Sequence, residues 1–119
     1  MSRFVIMASM VLGLVLSAGS AQAEDAKQVF EFYCAQCHGL EGNGKGVNVT
    51  KDFATDPRNF TDSVEMAKRS DDDIRGVIKD GGPSISKSPL MPPWGATLSA
   101  AQVDGLLAHI RGICKCKGK

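Results

Sequence analysis

The stretch Cys34-Ala35-Gln36-Cys37-His38-Gly39 sets two thiols three positions apart and puts an imidazole immediately after the second. Three kinds of chemistry use such a set: a redox dithiol, half of a zinc or iron–sulfur site, and a covalent anchor for haem. They differ in what must surround the motif. A thioredoxin-like dithiol wants a preceding strand and a βαβ context. Structural zinc wants further ligands, which His109, Cys114 and Cys116 are placed to offer only from far along the chain.

The residues before Cys34 read as helix rather than strand, and Gly39 interrupts any continuation beyond His38. C-x-x-C-H is the haem attachment pattern. Two thioether bonds from Cys34 and Cys37 hold the porphyrin edge, and His38 turns beneath the ring as proximal iron ligand. One axial position then remains. The chain has two histidines, and His109 falls beside the apolar stripe of the last helix, at a packing edge. Met66 falls in a short helix next to Lys68 and Arg69, where ordinary packing explains it. Met91 sits in Ser88-Pro89-Leu90-Met91-Pro92-Pro93-Trp94-Gly95, whose prolines restrict the backbone and hold a thioether at fixed reach. Met91 is therefore the expected distal ligand. His plus Met ligation raises the potential and fills the iron, which favours electron exchange over binding of oxygen or peroxide.

The chain of 119 residues allows one domain with a modest core. Arg3, an uncharged apolar run from Phe4 to Leu16 and Ala21-Gln22-Ala23 read together as a secretory signal peptide over residues 1–23. The run is short for a full bilayer span, so no stable membrane insertion is expected after cleavage. Without Arg3, thirteen basic residues face thirteen acidic ones. No basic run suggests nucleic acid. Export to the periplasm makes exposed thiols prone to oxidation. Cys114 and Cys116, in a Cys/Lys-rich tail over residues 114–119, thus have four readings: a local disulfide, a link to another molecule, a transient metal site, or an unremarkable surface tail.

Around these residues the elements are short. A helix is expected from Ala26 to Cys34, capped by Asp25, with Val29, Phe30, Phe32 and Tyr33 on its apolar face. Residues 39–62 carry four glycines and no sustained periodicity, and so read as a long loop that wraps around something. A short helix covers Ser63 to Arg69. Ser70 and Asp73 then form a capping box, Ile74, Val77 and Ile78 supply a buried stripe, and Gly81-Gly82-Pro83 ends that helix. In the last helix Ser99 and Gln102 make a second capping box, Leu98 and Val103 a hydrophobic staple, and Val103, Leu106, Leu107 and Ile110 one face at helical period. Three to five short helices with long loops give too little core by themselves, and a rigid apolar ligand would complete it.

An exported helical chain, an early Cys-Ala-Gln-Cys-His-Gly, a late Met-Pro-Pro-Trp-Gly and a terminal amphipathic helix resemble the class I bacterial c-type cytochromes of the small single-haem kind. The resemblance runs over residues 24–112 and implies an all-α, cytochrome c-like fold, in a domain at 24–113, wrapped around one covalently bound haem. In that fold the first and last helices cross near a haem edge. Carried onto this chain, the resemblance makes Cys34 and Cys37 the haem anchors, His38 the proximal and Met91 the distal ligand. Gly105 becomes the small residue at the helix crossing, facing Phe30, Phe32 and Tyr33. Pro57, the run Arg58 to Phe60 and Trp94 line the haem, with Arg58 and Trp94 as haem or propionate contacts. The departure is the terminal cysteine pair, which members of this kind commonly lack.

The implied function is a soluble, monomeric periplasmic electron carrier and not an enzyme. Its partners are transient redox proteins, such as a membrane oxidase, a quinol:cytochrome reductase or a periplasmic reductase or dehydrogenase. The alternative is a haem c enzyme or a gas or redox sensor with an open or labile distal ligand. A third reading is a thiol- or copper-handling protein working through Cys114 and Cys116.

Overall fold

The computed structural model describes the backbone of residues 18–119 and side-chain burial from Asp25 onward. The expected signal peptide, residues 1–23, lies outside the described residues except for the backbone from Ala18, which is helical. Five α-helices and one 3₁₀ turn make up the fold, with no strand among the described residues. They are α1 (Ala18–Tyr33), α2 (Ala35–His38), α3 (Ser63–Ala67), α4 (Asp71–Asp80), the 3₁₀ turn Gly82–Ile85, and α5 (Ala100–Cys114). The all-α expectation holds. Among the described residues no helix is long and apolar enough to cross a membrane.

The later helices start where their side chains satisfy orphan backbone donors. The Ser99 hydroxyl accepts from the Gln102 N–H at 3.1 Å while Gln102 Oε1 accepts from the Ser99 N–H at 3.0 Å. Ser70 and Asp73 repeat the pattern at 3.0 Å in both directions, and Asp62 caps α3 by accepting from the Glu65 N–H. Helix α3 stops at Ala67, two residues short of the expected end. Helix α1 departs further: it is already helical at Ala18, so Asp25 lies inside it and caps nothing.

The core forms where α1 crosses α5. Phe30 and Leu106 are fully buried, a contribution of about 1.5–3 kcal/mol each. Val103, Leu107 and Ile110 extend it along α5, Ile74 and Ile78 close it from α4, and Leu98 and Val103 bury the staple. Gly105 does mark the crossing, but its neighbour is Ala26: a Cβ built on Gly105 would stand 3.2 Å from the Ala26 Cβ. The aromatic residues expected there divide. Phe30 faces the core, Tyr33 packs on Trp94 with ring centres 5.1 Å apart, and Phe32 is 73% exposed.

The C-terminal residues are not a loose tail. Cys114 is the last residue of α5 and 1% exposed, its carbonyl accepts from the Ser63 hydroxyl at 2.6 Å, and it forms a disulfide with Cys116. Arg111, one turn earlier, reaches from α5 to the Asp71 carboxylate at 2.8 Å and to the carbonyls of Met66 and Arg69 at 3.0 and 2.7 Å. The Met66 carbonyl lies in the last turn of α3 and that of Arg69 just beyond it, where carbonyls lack the full set of helical partners and a guanidinium adds a favourable charge-assisted bond.

Candidate functional site

The chain bends at Cys34 between α1 and α2. The Cys34 N–H still donates to the Phe30 carbonyl at 2.9 Å, and the Cys37 and His38 N–H groups turn back to the Cys34 carbonyl at 3.2 and 2.9 Å. The motif is thus a single helical turn hinged onto α1. Its own carbonyls are taken up by the glycine-rich loop: Gly44 N–H donates to His38, Gly46 to Cys37 and Asn48 to Gln36, at 2.8–3.0 Å. Gly46 runs so close to the Gln36 carbonyl that a Cβ there would collide with it. The loop therefore needs glycine for contact, and it wraps the motif as its composition suggested.

His38 is fixed on two sides. Its Nδ1–H donates to the Arg58 carbonyl at 3.1 Å, and Phe60 stacks on the imidazole with ring centres 4.5 Å apart and planes 15° apart. Burial lowers the His38 pKa below the ordinary histidine value, against the opposing pull of the Arg58 hydrogen bond. Burial thus favours the neutral ring, and because the Arg58 carbonyl can only accept, the proton of that form sits on Nδ1 and leaves the Nε2 lone pair free. Such a bonded imidazole is the form that binds a metal.

Cys34 and Cys37 are free thiols, both half-buried. Burial, and then the neighbouring Cys37, push the Cys34 thiol up to about 11. That separates the three chemistries. A reactive dithiol depends on a depressed thiol pKa, and the preceding element is a helix with no strand among the described residues. Among the described residues no group of three or more His, Cys, Asp or Glu could hold a metal ion. The terminal cysteines are bonded to each other and offer zinc no thiolate. His109 packs against Phe30 at 4.8 Å, at the packing edge.

Cys34, Cys37, His38, Arg58, Met91 and Trp94 all lie on the wall of one cavity of about 500 Å³, within the range of small-molecule and cofactor sites. Its back is apolar, formed by Phe30, Leu106 and Ile110, with Ile74, Val77 and Ile78 from α4. Met66 also reaches it, though at 2% exposure its thioether is packed in the core.

Met91 arrives by a different route. It lies on the irregular segment after the 3₁₀ turn, which is pinned to the end of α4. The Gly82 N–H donates to the Met91 carbonyl at 2.9 Å, and the Trp94 and Gly95 N–H groups cap the Ile78 and Lys79 carbonyls at 3.0 Å. Gly81 makes the turn at φ +80, where a Cβ would stand 2.8 Å from the Met91 carbonyl oxygen.

The donors fit a haem: two thiols and a neutral imidazole from one helical turn, a thioether from another element, and apolar walls between them. The stacking of Phe60 on His38 has only a faint signal in the sequence. The two residues are 22 apart, and no periodicity connects them.

A family model described as cytochrome C oxidase, cbb3-type, subunit III matches residues 21–110. No curated protein and no solved structure matches the chain. The match supports a domain that binds haem c and transfers electrons.

Proposed function

The chain belongs to this family of c-type cytochromes, and we propose that it is a carrier of single electrons holding one covalently attached haem c. When bound, the haem supplies an iron that passes between ferrous and ferric states. Cys34 and Cys37 anchor it through thioether bonds. His38 would offer Nε2 to the metal, oriented by the Arg58 carbonyl and the Phe60 ring, and Met91 would offer its thioether as a second ligand. Apolar side chains from α1, α4 and α5 keep water from the metal, which makes the His and Met pair a site for electron exchange. Arg58 and Trp94, on the cavity wall, would contact the haem or its propionates.

The observation that carries this reading is the convergence of Cys34, Cys37, His38 and Met91 on one mostly apolar cavity. The leader-like start supports export to the periplasm, and on this reading the mature protein is a soluble monomer. Its partners would be a membrane oxidase, a quinol:cytochrome reductase or a periplasmic reductase or dehydrogenase, met through brief contacts of small area. The natively matured protein should weigh one haem more than its amino acids and show a methionine-to-ferric-iron band in the far red. It should bind carbon monoxide only slowly at neutral pH. A polypeptide without added mass or Soret absorbance would overturn the reading, and rapid carbon monoxide binding would favour a sensor or enzyme with an open distal side.

A further inference from the structure

A disulfide stabilises a fold largely by restricting the unfolded chain, and that effect shrinks with the loop it closes. Cys114 and Cys116 are two positions apart, so their bond restricts almost no chain. Structural stapling is a poor explanation for it. Its surroundings are nonetheless specific. Cys114 is buried at the end of α5, whereas Cys116 is half-buried, with its Sγ 3.6 Å from Nη1 of Arg111. Between them Lys115 holds φ +51, a left-handed conformation that side chains other than glycine disfavour.

The same surroundings suit the separated thiols. Cys114 Sγ has the Arg111 carbonyl at 3.4 Å and the Cys116 carbonyl at 3.7 Å, so a thiol formed there has acceptors in place. The Arg111 guanidinium beside Cys116 favours a thiolate at that sulfur. Access is unequal, because Cys114 is buried whereas Cys116 is partly exposed.

We propose that the Cys114–Cys116 bond is a thiol–disulfide exchange site, entered at Cys116, whose substrate is a dithiol reductant. A thiolate of the reductant attacks Cys116 Sγ and forms a mixed disulfide there. The bond to Cys114 breaks, and its electron pair leaves with the Cys114 sulfur, which takes up a proton. The second thiol of the reductant then attacks its own partner sulfur and releases Cys116. Two electrons and two protons pass to the cysteine pair, and the reductant becomes a disulfide. This site shares no sulfur with the haem anchors and stands whether or not the electron-carrier reading does.

The test uses the full haem-loaded protein in its folded state. Dithiothreitol should open the bond without denaturant, and brief alkylation followed by peptide mass analysis should find the label first on Cys116. In single variants, oxidised glutathione should modify Cys116 of Cys114→Ser at least about tenfold faster than Cys114 of Cys116→Ser, following exposure and thiolate character. A bond that survives dithiothreitol until guanidinium unfolds the protein would overturn the proposal, as would equal labelling of the two sulfurs. Should either variant fail to accumulate, the labelling order in the wild-type chain decides alone.

Discussion

The two sides of the cavity are built by opposite means. On the side of Cys34, Cys37 and His38, three residues within one five-residue turn carry every donor. The turn is continuous with α1, its carbonyls are held by the glycine loop, and His38 is clamped by a carbonyl and a ring. On the Met91 side a single donor sits on an irregular segment, with Leu90, Pro92 and Pro93 exposed and a few backbone bonds tying it to the end of α4. The first side is fixed by local chain geometry. The second is fixed by one loop, and so should be the easier to alter without losing the fold.

The largest effect should come from the first side. Cys37→Ser or Cys34→Ser removes a thioether anchor, and matured, haem-bearing protein should fall to a small fraction of wild type, measured as Soret absorbance per polypeptide. Met91→Ala should keep the covalent haem, as intact mass will show, but open the site to carbon monoxide. The reduction potential should fall on the order of 0.2 V, inside the roughly 0.8 V range that axial ligands span. An unchanged spectrum and potential would remove Met91 from the metal and with it the contrast between the two sides.

Gly81→Ala sharpens the comparison from beneath the Met91 segment. Forcing a Cβ at φ +80 against the Met91 carbonyl should cost about 1–2 kcal/mol. Thermal melting should fall by roughly 4–8 °C for each kcal/mol in a domain of this size. The far-red methionine band should weaken while the Soret intensity stays. The smallest effect belongs to Ser99→Ala, which removes one half of the α5 capping box. It should cost about 1 kcal/mol in chemical denaturation and leave both axial ligands spectroscopically unchanged.

Legibility in the sequence followed the same division. Helix α4 was readable because it carries a cap, a stripe and a stop in one short segment, and α5 because its capping box, staple and stripe adjoin. The attachment motif was readable because its spacing is its chemistry. What escaped depends on distance or on competition. Asp25 has the side chain of a cap, but α1 already begins at Ala18 and runs through it despite Gly19, so local cap preference yields to continuity of the helix. Phe32 stands two positions from Phe30, which on a helix points it to the far side, so both could not be buried. Contacts of His38 with Arg58 and Phe60 depend on the path of a loop without periodicity. The order of the C-terminal residues depends on Ser63 and Arg111, which no local pattern links to Cys114.

The acceptor that holds the imidazole is a peptide oxygen, not a side chain. Replacing Arg58 by almost any residue leaves that oxygen in place, so the electron-donating strength of His38 should be insensitive to what position 58 carries. The guanidinium can then serve the cavity wall without taking part in holding the imidazole, because the two tasks fall to different atoms of one residue.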